Sequence, residues 1–513
     1  MFQRVIKCII NWFALVLLVI ISFIVLFLSN DNYTYKKNYI LPNFGLMLLG
    51  IIALLIFLFV IKKCIGISKR RVPIYKISIV AFGLQYYVCS NIYFYTSWDV
   101  AVILKAARKI LAEDYGSLWH DYFSWYPNNH FILWIDTVIL RINRAFGIYN
   151  YDNEIMAFIL AQCLLTTITG ILLFDVIKNC TDSEAIALTG WMIYMVLIEF
   201  SGWIVIPYTD MMGIIVPMSI LRIYQSLHNG RGLYLKWVVM VSLAYWGYKL
   251  KPQILIVFIA ILIIEIINSE YKEYTIETIK KITITIGMSV VCLVVCSCIF
   301  TYIVKSTGLI INPEKNMGIT HMVMMGLNDE TDGMYYQPDV DFTQNFDNKA
   351  EKKEAQISII KERISNYGLG GLLKHLYKKT LVNFNDGSFA WLMEDDFYSI
   401  EYEDRNSVAS PLLKDFYYSS RSKNIYLRSL EQMVWLAVLL LSIGAIKNNR
   451  NDISVVMLTI LGMILFCSVF EARARYLIIY VPFFIIAAMC SLMRLSEYFN
   501  TMKMHERDEE NRG

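Results

Sequence analysis

Apolar runs, several of them about 20 residues long and so able to cross a bilayer as helices, alternate with short polar stretches along most of this chain. They predict spans at 9–28, 44–61, 77–95, 155–177, 184–206, 211–227, 235–249, 252–268, 282–303, 430–446, 452–470 and 476–493. The first run, "IINWFALVLLVIISFIVLFLS" (9–29), is too long for a secretion signal and lacks a small-residue cleavage site, so it reads as a retained helix. Two stretches carry an amphipathic helical pattern instead, "VAVILKAARKIL" (100–111) and "HFILWIDTVILRINRAFG" (130–147). The second holds Asp136, Arg141 and Arg144 and reads as a helix lying on the membrane surface or dipping in and returning.

Between 304 and 429 the pattern turns polar over a length sufficient for a small domain. Its first part, 326–348, is acidic and irregular. "KAEKKEAQISIIKERISNYG" (349–368) predicts a charged amphipathic helix ended by Gly368. "GLLKHLYKKTLVNF" (371–384) predicts a basic one, suited to a lipid surface or to its own domain. The expected fold is an all-α polytopic membrane protein with about twelve transmembrane helices. Amphipathic outer-surface helices fill its first large loop, and a small α-rich extracytoplasmic domain follows. The divisions are a transmembrane hairpin and basic loop (1–76), a transmembrane core (77–303) containing the outer loop 96–154, the polar domain (304–429), the C-terminal helices (430–494) and a tail (495–513).

Basic residues set the sidedness. Lys62, Lys63, Lys69, Arg70, Arg71 and Lys76 crowd the loop after the second span, which is therefore expected to be cytoplasmic. Arg4 and Lys7 then lie inside, as do Lys178, Arg231 with Lys236, Lys280 with Lys281, Lys447 with Arg450, and the tail with Lys503, Arg507 and Arg512, provided 130–147 does not cross. Both termini are expected in the cytoplasm, with Asp99 and the segment 304–429 outside a plasma membrane.

Composition agrees: 57% of the residues are hydrophobic. The net charge of +4, from 47 basic and 43 acidic residues, gives no reason to expect nucleic acid as a partner. The ten cysteines lie in or beside apolar runs and read as small buried hydrophobes; none falls in 304–429.

Chemistry gathers on the expected outer face. Trp98-Asp99 opens the first large loop. Asp99 is placed either to cap the following helix or to take a proton from a hydroxyl at the membrane boundary. "WYPNNHF" (125–131) offers Tyr126, Asn128 and His130 around a proline break. "IPYTDMM" (206–212) presents Asp210, a cap or a second acid of the same cavity. "YKLKPQ" (248–253) interrupts an apolar stretch with Lys249 and Lys251, which either snorkel or meet an anion such as a lipid phosphate. "FEARARY" (470–476) places Glu471, Arg473 and Arg475 before the last span, where arginines suit a phosphate or pair with Glu471.

The order of these motifs resembles the GT-C superfamily of membrane glycosyltransferases, and most of all its bacterial members related to protein mannosyltransferases and aminoarabinose transferases. "NDGSFAW" (385–391) and "EARARY" (471–476) look like a poorly characterised Gram-positive subgroup. The resemblance covers roughly 77–300 and 430–493 and rests on short motifs. It implies transfer of a sugar from a polyprenyl-phosphate donor to an extracytoplasmic glycan or protein. Asp99 would be the general base and Asp210 the second acid. Lys249, Lys251, Arg473 and Arg475 would hold the donor phosphate, and Trp98, Tyr126, Asn128, His130 and Glu471 would line the cavity or meet the acceptor. Some members carry two acids at the first-loop motif. Here Val100 and Ala101 follow Asp99, which departs from a metal-binding pair, so no cofactor and no metal is expected. A flippase or transporter of lipid-linked saccharides is a rival reading, given the broken span at Pro252. A polysaccharide polymerase is another, with Arg363, Arg405 and Arg421 in the large loop, and a non-catalytic assembly protein is a third.

Overall fold

The computed structural model describes residues 2–28, 39–68, 71–227, 232–269, 276–391, 398–400, 409–418, 421–447 and 450–510. Lys69, Arg70, Arg231, Arg405 and Arg512, invoked above, lie outside the described residues. The first apolar runs form α1 (Phe2–Phe27), α2 (Asn43–Ser68) and α3 (Ile74–Ile92). The first large loop supplies α4 (Trp98–Leu111), α5 (His120–Trp125) and α6 (His130–Ala145). The core continues with α7 (Tyr151–Thr181), α8 (Glu184–Tyr194), α9 (Thr209–Gly213), α10 (Ile215–Gln225), α11 (Leu233–Leu250), α12 (Leu255–Ser269) and α13 (Ile276–Ser306). The polar segment holds α14 (Gly318–Gly326), α15 (Gln337–Gln344), α16 (Lys349–Phe384) and α17 (Ala409–Tyr417). The chain closes with α18 (Asn424–Ser442), α19 (Asn451–Val469) and α20 (Val481–Glu510).

Among the described residues, seven helices are long and apolar enough to cross a membrane: Val5–Phe27, Asn43–Gly66, Asn153–Thr181, Ile279–Ser306, Asn424–Ala445, Asn451–Val469 and Ala474–Ser496. The other five expected spans are shorter, more polar or interrupted. The run 184–206 breaks into α8, a π-turn at Met195–Glu199 and a 3-10 turn at Gly202–Val205. The run 211–227 divides between α9 and α10, and the proline of "KPQ" separates α11 from α12. Apolar length alone does not report such breaks, because neighbouring helices can satisfy the freed backbone groups. The last span is 89% buried and the Ile279–Ser306 span only 6%, so α20 is the axis of the bundle and α13 faces outward beside α11.

The polar segment is helical, as its pattern predicts, but it is built onto the ends of the spans. α16 packs on α1 and α19, and α17 packs on α3 and α18. Asn348 caps α16 by accepting from the backbone N–H of Ala350 and Glu351, and Gly368 breaks it with a left-handed backbone (φ 55°), where the sequence places the stop. The strand pairing among the described residues is one short ribbon, Tyr95–Thr96 antiparallel to Tyr398–Ile400, which holds the chain immediately before Trp98.

Loops distant in sequence meet at one end of the bundle. Met317 N–H donates to Trp125 O at 3.2 Å, Ala472 N–H to Gly333 O at 2.7 Å, and the Trp203 indole to Ser388 O at 3.1 Å. At the opposite end Lys7 donates to Asn268 and Asn451, and Lys178 pairs with Glu184. α6 packs beside α4, and Arg144 in its last turn donates to Leu111 O, the last residue of α4, so the C-terminal ends of the two helices lie together.

The "NDGSFAW" element is a latch at the first of these ends. Asp386 accepts from Ser388 N–H and Oγ–H and from Ala390 N–H, closing a tight turn. Gly387 N–H donates to Gln432, whose amide in turn reaches Asn43 and Asn385. A Cβ on Gly387 would lie 2.3 Å from Glu431 O, a backbone atom of α18 that cannot step aside. Gly387→Ala is therefore expected to lower stability by about 1–3 kcal/mol, read as a lower melting temperature in detergent.

Candidate functional site

Trp98 takes a left-handed backbone (φ 47°), unusual for a bulky side chain, which swings the chain from the ribbon into α4. Its indole stands edge-on to Tyr208 at 5.2 Å, and the Arg475 guanidinium lies over it at 4.5 Å. Ser97 occupies the cap position and Asp99 the first turn, so Asp99 is not the cap. Its carboxylate instead accepts from two phenols, Tyr122 Oη–H at 2.6 Å and Tyr208 Oη–H at 3.2 Å. Asn129 joins them, donating to Tyr122 Oη at 2.7 Å and lying 3.3 Å from Tyr208 Oη. Asp99 stays partly accessible, and each oxygen keeps a second lone pair for an incoming hydroxyl.

Asp210, in the first turn of α9, pairs with Lys251, whose ammonium also lies over the Tyr476 ring at 4.6 Å. Lys251 has an extended backbone just past α11, and the following Gln253 donates to Tyr476 O, tying the break to the last helical segment. Arg473 donates to Glu471 at 2.9 Å, and Tyr476 Oη–H donates to the other Glu471 oxygen at 2.9 Å. Arg475 stands 5.6 Å from the Tyr208 ring and 5.8 Å from the Tyr476 ring, between the two acid clusters. The charges of Asp99, Asp210 and Arg475 all act on Tyr208, and those of Arg475 and Glu471 on Lys251.

Asp99, Asp210, Lys251, Glu471, Arg473, Arg475, Trp98 and Tyr126 thus assemble at one end of the bundle. Burial, then Tyr335, Asp99 and Glu471, push the Tyr126 phenol above its ordinary range, so this hydroxyl keeps its proton. Lys249 does not join Lys251. Two residues apart at a helix end, they leave on opposite sides, and Lys249 lies 4.3 Å from the Phe300 ring and 5.4 Å from that of Tyr245. His130 is buried against Phe123 O at 2.7 Å, and burial lowers its pKa. Asn128 is exposed and donates to its neighbour Asn129 at 3.2 Å.

Five residues escaped the sequence reading: Tyr122, Asn129, Tyr208, Tyr335 and Tyr476. Three of them stand inside motifs already singled out, which was the available signal.

The polar segment positions the arginine loop. Arg473 N–H donates to Asn383 Oδ1 at 2.9 Å, and its guanidinium lies 5.9 Å from the Tyr335 ring. The chain belongs to the family described as conserved hypothetical integral membrane protein. That family matches residues 1–495, which takes in every part of this site. Among curated proteins, none matches the chain.

His321 and His375 brace the same segment. His321 Nδ1 lies 2.8 Å from Thr343 Oγ1, and His375 Nε2–H donates to Gly326 O at 2.9 Å. Burial lowers both pKa values below the ordinary 6.5. As pH falls below about 6.5 the unfolded chain takes up these protons before the folded one, so stability present at neutral pH is lost toward acid. The melting temperature is expected to fall between pH 7 and pH 5, with a shallower slope in His375→Gln; an unchanged slope in that variant contradicts the assignment.

Proposed function

We propose that this protein is a membrane glycosyltransferase that moves a sugar from a polyprenyl-phosphate donor to an acceptor hydroxyl outside the plasma membrane. The supporting observation is one partly open site where an acid held by two phenols, Asp99, lies beside a guanidinium stacked on Trp98. The acceptor oxygen attacks the anomeric carbon as its proton passes to Asp99. The bond from that carbon to the phosphate oxygen breaks, and its electron pair leaves with the phosphate. Arg475, Arg473 and Lys251 stabilise the charge that develops there. A single displacement inverts the anomeric centre. Asp210 and Glu471 hold Lys251 and Arg473 in place.

The flippase reading keeps one observation of its own. Glu199 is fully buried in the π-turn of a broken helix, and neither carboxylate oxygen has a hydrogen-bond partner among the described residues. Purified protein given a panel of polyprenyl-phosphate sugars separates the two readings. Donor consumption with release of polyprenyl phosphate supports the transferase. Scrambling of lipid-linked saccharide in vesicles without consumption supports the flippase.

A further inference from the structure

The mechanism above delivers a proton to Asp99, and the hydrogen bonds behind the acid decide how readily it accepts one. Tyr208 has a single hydroxyl hydrogen but two acceptors at nearly equal range, Asp99 Oδ2 at 3.2 Å and Asn129 Oδ1 at 3.3 Å. Tyr122 has no such choice. Its hydrogen goes to Asp99 Oδ1 at 2.6 Å, and its oxygen accepts from Asn129 Nδ2–H at 2.7 Å. That second bond turns the Asn129 nitrogen toward Tyr122 and its oxygen toward Tyr208, and Asn128 donates to the same oxygen at 3.2 Å. Asp99, Tyr122, Asn129 and Tyr208 close a ring. The last three are buried, and Asp99 is the half-buried member at its open edge.

A donor aimed at a carboxylate favours its charged form and so weakens it as a base. Tyr122 is such a donor in either state of the acid, because a neutral carboxyl still accepts at its carbonyl oxygen. Tyr208 differs. While Asp99 is charged, the Tyr208 hydrogen goes to Oδ2, since a hydrogen bond to an ion is the stronger. Once Oδ2 carries a proton, its O–H turns to Tyr208 Oη and the Tyr208 hydrogen turns to Asn129 Oδ1. The bonds then run head to tail around the ring, from Asp99 to Tyr208, Asn129, Tyr122 and back, an order in which each strengthens the next. Only hydroxyl rotations are involved, and every donor has an acceptor in both states. The other titratable groups around the ring are Tyr126 and Tyr335, on which Asp99 acts, and Asp210, Arg475 and Tyr476, which act on Tyr208.

The geometry points to Asn129 as a positioning residue of the base: its side-chain oxygen receives the Tyr208 hydrogen when Asp99 Oδ2 takes the acceptor's proton, so that Tyr208 holds the carboxylate without opposing its protonation. The inference rests on the transferase reading for the source of that proton, but the state of Asp99 is measurable without transfer. The test follows the Asp99 carboxyl stretch by infrared difference spectroscopy as pH is varied, each protein set against its Asp99→Asn counterpart, alongside the pH profile of transfer. The proteins are full-length wild type, Tyr208→Phe, Asn129→Leu and the double variant. Tyr208→Phe removes a donor from the carboxylate, so the titration midpoint and the acid limb of the profile are expected to rise by about one pH unit. Asn129→Leu leaves the Tyr208 hydrogen no acceptor but Asp99, so both are expected to fall by about half a unit, with plateau turnover lowered about two- to threefold, as for a weaker base. With the phenol gone the asparagine has no hydrogen to receive, so the double variant is expected to follow Tyr208→Phe within about 0.3 unit. Shifts of opposite sign, which lost packing does not produce, support the ring. An unshifted midpoint in Asn129→Leu, shifts of one sign in both single variants, or a double variant that follows Asn129→Leu overturns it. A second measurement leaves Asn129 in place, so it stands even where Asn129→Leu does not fold. The Tyr208 C–O stretch, identified by its loss in Tyr208→Phe, is expected to move as Asp99 titrates in wild type, and a band that stays fixed overturns the switch. Opposite shifts in a protein that transfers no sugar remove the transferase reading and keep the ring. Transfer with unshifted midpoints does the reverse.

Discussion

Asp99→Asn is expected to lower sugar transfer by about 10²–10⁴-fold while leaving donor binding within about twofold, the signature of a lost general base. The substitution suits the site because it alters proton affinity and little else. Asparagine keeps the side-chain shape and one carbonyl oxygen to accept from Tyr122 or Tyr208, so the network with Asn129 is only partly disturbed. The cations are untouched, as Lys251 is held by Asp210 and Arg473 by Glu471. Donor affinity therefore reports the cation cluster and turnover reports the acid. Transfer at the wild-type rate in this variant removes Asp99 from the chemistry. Loss of both transfer and donor binding makes it a structural residue.

The largest expected loss of stability belongs to Lys379→Met. Lys379 is buried in α16, and its ammonium donates to three backbone carbonyls, Gly326 O at 2.8 Å, Ser468 O at 2.9 Å and Phe470 O at 2.6 Å. Ser468 and Phe470 stand at the end of α19, where carbonyls have no partner further along the helix and the dipole is negative. Burial brings the lysine down to about 8, so near neutral pH it is charged and can fill all three acceptors. Methionine fills the same space and donates nothing. Relief of the buried charge offsets part of the loss, leaving an expected cost of about 2–4 kcal/mol, measurable by denaturant or thermal unfolding in detergent. The consequence extends to the site, because Phe470 opens the loop that carries Glu471, Arg473 and Arg475. Donor binding is expected to weaken along with stability. A change within about 0.5 kcal/mol, the range of an ordinary surface substitution, contradicts this account of the lysine.

Both predictions concern residues that one-dimensional reading treats unequally. Asp99 announces itself, since an acid following a tryptophan at the end of an apolar run has few uses. Lys379 does not. In "HLYKKT" it reads as one of several lysines of a basic amphipathic helix, and only the arrival of the α19 terminus turns it into a buried clamp. Lys249 is the converse case. Its spacing from Lys251 suggests a pair, but α11 ends between them, so one faces aromatic rings and the other Asp210.

By itself the sequence determines that this is a helical integral membrane protein, because runs of apolar residues have no other low-energy environment in such number. It also determines where the polar segment breaks at Gly368, since glycine there meets a left-handed turn without strain. The order of acids, lysines and arginines along the chain is equally plain. Tertiary structure alone decided which of them meet. Tyr122, Asn129 and Tyr208 converge on Asp99 from α5, the turn before α6 and the turn before α9, and side chains brought together by packing leave no periodic trace. It also decided which apolar runs stay whole. The breaks at 195–205 and at Pro252 depend on partners such as Trp391 and Tyr480 that satisfy or fill around them, and those partners lie far along the chain.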